Sequence, residues 1–257
     1  EAMAGCAGFA HVNSLAPSPL HTDAAEMIRE AVEGTELALR FAAEASTVRR
    51  VVVASGLASI CGSQRNINPD HLWSEADTND APESAYSESK VAGEAKVWEL
   101  AEKYKDKYSV CTVHMTYMFG ALLPGYQMNS GAMSGHHFLQ DMAKGKVMCN
   151  MFCVMDGTDF GAAYVAGLER PEAAGQRYMV ASADQVSSLE IAEWAAAAGA
   201  TGVDLAAWAA DEAVQKMTPK KPSADNRKVV ALLGRALVPP AKSVERAIAS
   251  LIQEGLI

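Results

Sequence analysis

A chain of 257 residues, 49% hydrophobic and 21% charged, is long enough to bury one substantial core with room for a small appendage. A net charge of −9 and an isoelectric point near 5.2 exclude the basic footprint of a nucleic-acid binder. No run of about 18 apolar residues occurs, which excludes a helical membrane span.

The opening residues, "EAMAGCAGFAHV", read as neither a signal nor a transit peptide, and the chain begins as though in mid-fold. "AGFAHV" (7–12) predicts a buried strand. Residues 23–45 predict a long helix with Asp23 as N-cap and Glu26 in the first turn. "RRVVVASG" (49–56) is a β-branched run bounded by charge and glycine, and "GLASICG" after it reads as a turn. Residues 62–84 are polar and too long for a mere connector. A helix from about Tyr86 to Tyr104 leads to a strand over 109–120. Continuous apolar strands separated by long helices predict a parallel sheet covered on both faces.

After residue 120 the alternation loosens. A Gly- and Ser-rich loop precedes a helix near 136–144 and a short strand, "VMCNMFCV". Residues 156–171 predict a helix stopped by Pro171, 175–182 a strand, 187–200 a helix, and 243–257 a last amphipathic helix. The expected organisation is a Rossmann-like, doubly wound core over 1–120 with parts of 145–180. A small C-terminal α/β subdomain on the substrate side takes most of 121–257. The cysteines, Cys6, Cys61, Cys111, Cys149 and Cys153, are odd in number and scattered among apolar residues. That suits buried thiols in a reducing compartment, cytoplasm or organelle, better than a disulfide framework. Cys149 and Cys153 have no second Cys or His pair to complete a site, so no metal is expected.

In an open parallel sheet, ligands bind outside the carboxyl ends of the strands. His11–Ser14, Ser55-Gly56 and Met115–Gly120 fall at such ends. "SAYSESKVAGEA" (84–95) places Tyr86 and Lys90 four apart at a helix start that points to the same rim. A phenol beside a fixed ammonium is expected to have its pKa pulled down and can then give a proton to a carbonyl oxygen. The spacing alone is a weak signal, equally compatible with a solvated helix start. Convergence of several segments on one edge is what strengthens it.

These segments together resemble the extended short-chain dehydrogenase/reductase superfamily, and within it the dihydroflavonol reductase and cinnamoyl-CoA reductase-like group. "AGCAGFAHVNS", "VEGTELALRFAAEASTVRRVVVASGLASICG", "YSESKVAGE", "VHMTYMFG", "MDGTDFGAAYVAGLERPEAAGQRYMVAS" and "SADNRKVVALLG" carry the likeness almost from end to end. The resemblance implies an NADP(H)-dependent reductase of a small ketone or aldehyde, with NAD(H) as the other cofactor choice. Tyr86 would be the general acid, Lys90 the holder of the nicotinamide ribose, and Val12, Asn13, Ser14, Met115, Met118 and Ser130 cofactor contacts. It also implies pairing of two copies through two helices, one of them the Tyr86 helix.

Several positions depart from the group's pattern. Its second rim serine is Gly56 here, which leaves Ser55 or Ser59 to serve as donor to the substrate oxygen. Loss of one such donor costs about 10²–10³ in rate. Met115-Thr116 replaces a Pro-Gly pair, Thr158 an Arg and Tyr164 a His. The group's glycine-rich phosphate loop is expected in roughly 60–70 residues, about two βα units, before residue 1. These departures support an alternative, a catalytically degenerate subunit of a larger assembly. An epimerase or dehydratase relative is a third reading. Trp73 and Tyr126 suggest an apolar or aromatic substrate pocket, and core packing explains them equally well.

Overall fold

A computed structural model describes residues 3–12, 23–61, 71–125, 134–219 and 221–257. Asn13, Ser14, Tyr126 and Ser130 lie outside the described residues. The first strand, β1 (Gly8–His11), is followed by helix α1 (Ala24–Glu44) and strand β2 (Arg50–Gly56). Asp23 caps α1 as its spacing predicts, accepting the N–H groups of Ala25 and Glu26 at 2.9 and 3.2 Å. The stretch after β2 that reads as a turn closes into one helical turn, α2 (Ala58–Cys61), before the chain reaches helix α3 (Ala85–Lys103). A reciprocal Ser84–Ser87 capping box starts α3 one residue before Tyr86, which fixes where the Tyr86 side chain emerges.

Strand β3 is Ser109–Met115, shorter than the single strand expected over 109–120. At Thr116 the chain leaves the sheet: the Thr116 hydroxyl donates to the Cys153 carbonyl at 2.6 Å. Tyr117–Phe119 (β4) then belongs to a different sheet. Helix α4 (Gly135–Ala143) is followed by two short strands, β5 (Met151–Phe152) and β6 (Val154–Asp156), where one was expected. Helix α5 (Gly157–Glu169) stops at Arg170 ahead of Pro171, as a proline there requires. Strands β7 (Arg177–Met179) and β8 (Val186–Ser187), helices α6 (Ser188–Ala197), α7 (Leu205–Ala210), α8 (Glu212–Gln215), α9 (Arg227–Leu233) and α10 (Pro240–Gln253) complete the chain.

The main sheet is parallel, in the order β1-β2-β3-β7. Alternation along its strands sorts side chains to two covered faces. Val51, Val53 and Val110 meet α1 and α3 through Leu39, Ala42, Val97 and Leu100. Val52, Cys111 and Val113 meet α5 and α9 through Ala163, Ala166, Val229 and Leu232. Gly167 permits the approach of α5, because a Cβ there would lie 2.8 Å from Cys111 Sγ and 2.9 Å from Val52 Cγ2. The doubly wound Rossmann-like architecture expected from the sequence is therefore present.

Two smaller sheets, β4 beside β6 in parallel and β5 beside β8 antiparallel, seat the C-terminal helices. Their core gathers Phe119, Phe138, Phe152, Ile191, Trp208, Ile248 and Leu251. Buried Asp156 ties this region together: it caps α5 through Thr158 and accepts the α10 Ser243 hydroxyl at 2.9 Å. Cys61, Cys111 and Cys153 are buried, whereas Cys6 and Cys149 are exposed. Among the described residues no helix is long and apolar enough to cross a membrane, and no group of His, Cys, Asp and Glu is arranged for a metal.

Candidate active site

The carboxyl ends of β1, β2 and β3 share one rim with the first turns of α3. Register places Gly56 opposite Met115 at that rim, and Ser55 opposite His114 one residue below. Tyr86 and Lys90 come down onto Gly56. A Cβ at position 56 would lie 3.6 Å from Tyr86 Oη and 3.7 Å from Cγ and Cδ of Lys90, which is ordinary contact. Position 56, and not 55, is thus the strand-end residue that faces the phenol. Ser55 is turned the other way: its hydroxyl lies 3.1 Å from Ser59 Oγ and 3.4 Å from Glu94 Oε2. Ser59 is buried as well, with its hydroxyl donating to Glu94 Oε2 at 2.6 Å. Both serines proposed as substitute donors are therefore engaged beneath the rim.

The electrostatics of the pair run opposite to the expected direction. Burial pushes the Tyr86 phenol up to about 12, and nearby Tyr117 adds to it. Burial also pulls Lys90 down to about 8. The Lys90 ammonium lies over the Tyr86 ring, 5.0 Å from its centroid, and so stabilises the face of the ring more than the oxygen. Desolvation thus sets the direction of the Tyr86 shift. The result is a phenol that keeps its proton at neutral pH, the state required of a proton donor. Among the described residues Lys90 Nζ has no hydrogen-bonding partner. It borders a cavity of about 100 Å³ between α1, α3 and the ends of β1 and β2, lined also by His11, Glu30, Thr35, Ser55 and Glu94.

Beneath the rim lies a polar hub that the sequence reading did not single out. Glu94, one helical turn beyond Lys90, is buried and receives the Arg177 guanidinium through two bonds, Nε to Oε1 at 2.9 Å and Nη2 to Oε2 at 3.0 Å. Its Oε1 also meets His114 Nε2 at 3.0 Å and Thr112 Oγ1 at 3.3 Å. Burial alone would raise this carboxyl. The hydrogen bonds and charges of His114 and Arg177 overcome that and hold it well below the usual carboxylate range. Ser59 Oγ and His114 Nδ1 sit 2.9 and 3.3 Å from the Gly56 carbonyl, so the hub reaches the backbone of the rim itself. The available signal was a glutamate four residues after Lys90 on the same helix face, together with a lone histidine in an apolar strand.

Other candidate positions are dispersed around the same edge. Val12 is exposed just beyond β1, Met115 is half-buried at the end of β3, and Met118 on β4 is exposed. Trp73 packs against the cluster of Leu57, Ile60, Cys61 and Met179, its backbone bridged to Ala224. Cys149 is exposed and bonded to the Ala213 carbonyl, whereas Cys153 is buried.

A doubly wound parallel sheet with Tyr86 and Lys90 at its carboxyl rim defines a Rossmann-like protein. The chain belongs to the NAD dependent epimerase/dehydratase family, whose model matches residues 14–181. Cinnamoyl-CoA reductase 1 of Petunia hybrida is 30% identical over 187 residues, covering 70% of this chain and 53% of that protein. Aldehyde reductase 2 of Sporidiobolus salmonicolor is 28% identical over 149 residues, 52% of this chain and 43% of that one. The chain spans about half the length of the curated relatives it matches. Among solved structures, yeast methylglyoxal/isovaleraldehyde reductase Gre2 complexed with NADPH superposes with a TM-score of 0.82 at 20% identity, over 98% of this chain and 78% of that one. Vestitone reductase from alfalfa (Medicago sativa L.) gives 0.74 at 19% identity, over 100% and 79%. These two likenesses establish the fold.

Proposed function

We propose that this protein reduces the carbonyl group of a small aldehyde or ketone with NADPH, using Tyr86 as proton donor and Lys90 as cofactor anchor. The observation that carries the reading is the Tyr86 phenol, held protonated by burial and seated on Gly56 with the Lys90 ammonium across its ring. NADPH is favoured over NADH by the reductases this chain is similar to, one of them solved with NADPH. The cavity beside Lys90, whose ammonium has no hydrogen-bonding partner among the described residues, supports a role in holding the ribose of a nicotinamide dinucleotide. When bound, that group supplies the hydride.

The chain's own contribution follows from its geometry. Tyr86 gives its proton to the substrate oxygen as negative charge develops there. Lys90 would offset the charge left on the phenolate and would hold a ribose hydroxyl of the cofactor. Val12, Met115 and Met118 would border the nicotinamide, and Asn13, Ser14 and Ser130 complete that proposal from outside the described residues. A small domain over 121–257 would shape the substrate side, and two copies would pair through two helices, one of them α3.

The test is carbonyl-dependent NADPH oxidation by the protein as isolated from its natural source, assayed against a panel of aliphatic and aromatic aldehydes and ketones. Tyr86→Phe should lose about 10²–10⁴ of that rate while the fold persists. Absence of oxidation by the wild type across the panel would overturn the reading. The second reading, a catalytically degenerate subunit, is supported by Gly56, which offers no hydroxyl to the substrate oxygen. Because the space at 56 admits a Cβ, Gly56→Ser tests it. On the reductase reading, the added donor raises turnover, by up to about 10². A subunit without turnover gains nothing.

A further inference from the structure

Two features of α3 are in tension. Its N-terminal turns carry the chemistry, yet the residues that those turns bury are Ser87, Ser89, Gly93 and Glu94, and the first large apolar side chain buried on the helix is Val97. Apolar packing through Val97 and Leu100 holds the far half against Val51, Val53 and Val110. Such packing is not directional, and in the near half it is confined to small groups such as Gly93 against Ala31 of α1. Hydrogen bonds are directional.

Of the charged side chains in the near half, Glu94 is the one with hydrogen bonds to the sheet among the described residues. Tyr86, Lys90 and Glu94 stand at i, i+4 and i+8, so they occupy one face over about 12 Å of helix. Glu94 reaches three strands from that face. It meets Ser55 on β2 and, just beyond that strand, Ser59 on α2, Thr112 and His114 on β3, and Arg177 on β7. A carboxylate offers about four lone-pair sites, and no neutral side chain could accept this set of donors. Arg177 extends the hub outward, since its Nη1 also donates to the carbonyls of Glu75 and Asp77 at 2.7 and 2.6 Å. The segment beside the rim is thereby tied to the same carboxylate.

We infer that Glu94 is a positioning residue: through Ser59 and Arg177 it sets the height and rotation of α3 over Gly56, and with them the placement of Tyr86 and Lys90. The inference rests on the reductase reading only for its kinetic consequence. The placement of Lys90 is a property of the fold and has its own measurement. Lys90 faces Glu30 of α1 and His11 of β1 across the cavity, with Tyr86 and Glu94 on its own helix, and Tyr117 lies near Tyr86. Freed from the hub, the ammonium would gain water and return toward the ordinary lysine value of 10.5.

The experiment is pH-dependent labelling of Lys90 by an amine-reactive reagent, read by peptide mass spectrometry, in wild type, Glu94→Gln, Glu94→Asp and Ser59→Ala. Wild-type labelling should be half-maximal near pH 8. In Glu94→Gln and Ser59→Ala the midpoint should rise by about one pH unit or more, with Glu94→Asp in between. Carbonyl-dependent NADPH oxidation should fall about tenfold or more in the same variants, and NADPH affinity should weaken as the Lys90 anchor is displaced. Ser59→Ala keeps the Glu94–Arg177 pair and carries the test should Glu94→Gln fail to fold. Folded variants whose labelling curves overlay that of the wild type would overturn the inference. A wild type that reduces no carbonyl, with the midpoint still displaced in the variants, would defeat the reductase reading and leave the positioning intact.

Discussion

The interior of the C-terminal region and the interior at the carboxyl end of the sheet are built from different materials. In the former, Phe138, Leu139, Met142, Phe152, Ile191, Trp208, Ile248 and Leu251 interlock as hydrocarbon. In the latter, Ser55, Ser59, Glu94, Thr112 and His114 are as thoroughly buried, and they satisfy one another through hydrogen bonds. The two solutions suit different tasks. A hydrocarbon core gains free energy from area removed from water and tolerates small shifts among its members. A buried polar hub gains little net stability, since each group must first be desolvated, but it admits one arrangement. The fold places that arrangement where a phenol and an ammonium have to meet a strand end within van der Waals contact.

The sharpest way to break this comparison is to damage each interior once. Trp208→Ala and Glu94→Gln should cost similar amounts, about 3–5 kcal/mol each, the first by opening a cavity and the second by stranding the Arg177 guanidinium. Their pH dependence separates them. The folded Glu94 carboxyl lies well below its ordinary value of 4.5, so the stability it contributes is full above about pH 4.5 and is lost as pH falls below that. The gap between wild type and Glu94→Gln should therefore narrow in acid, while the Trp208→Ala deficit stays level. Denaturant unfolding between pH 3.5 and 7 checks both. A gap for Glu94→Gln that is unchanged at pH 3.5 would mean that the hub stabilises by shape and not by charge.

The same contrast explains what could be read from the sequence. Periodicity reports hydrocarbon burial, so the four strands of the main sheet and helices α1, α3, α5, α6 and α10 were legible, as was the Asp23 cap. Tyr86 and Lys90 became candidates through the convergence of several segments on one edge, their spacing alone being a weak signal, and alternation along β2 turned Ser55 away from the rim at Gly56. The break at Thr116 was not, because Val113 to Phe119 is apolar on both sides of it and only pairing with β6 moves β4 to another sheet. The direction of the Tyr86 shift was missed because spacing gives adjacency, whereas desolvation depends on everything packed around the ring. Glu94 escaped notice for a related reason. A glutamate in a helix reads as solvated, and its partners Ser59, His114 and Arg177 are 35, 20 and 83 residues away.

The smallest expected effect isolates the remaining wall of the cavity. Helix α1 contributes Glu30, Ala31 and Thr35 to it, and the helix is started by Asp23, whose carboxylate lies on the exposed side of the first turn. Asp23→Ala should cost about 1 kcal/mol through two backbone N–H groups left to water. The helix is held beyond that turn by Met27, Thr35, Leu39 and Ala42, so fraying at its start should not reach Thr35. Lys90 labelling should then be unaltered while the unfolding midpoint drops slightly. A displaced labelling curve in Asp23→Ala would assign the Lys90 environment to the α1 wall, and the weight given to Glu94 would have to be divided between the two helices.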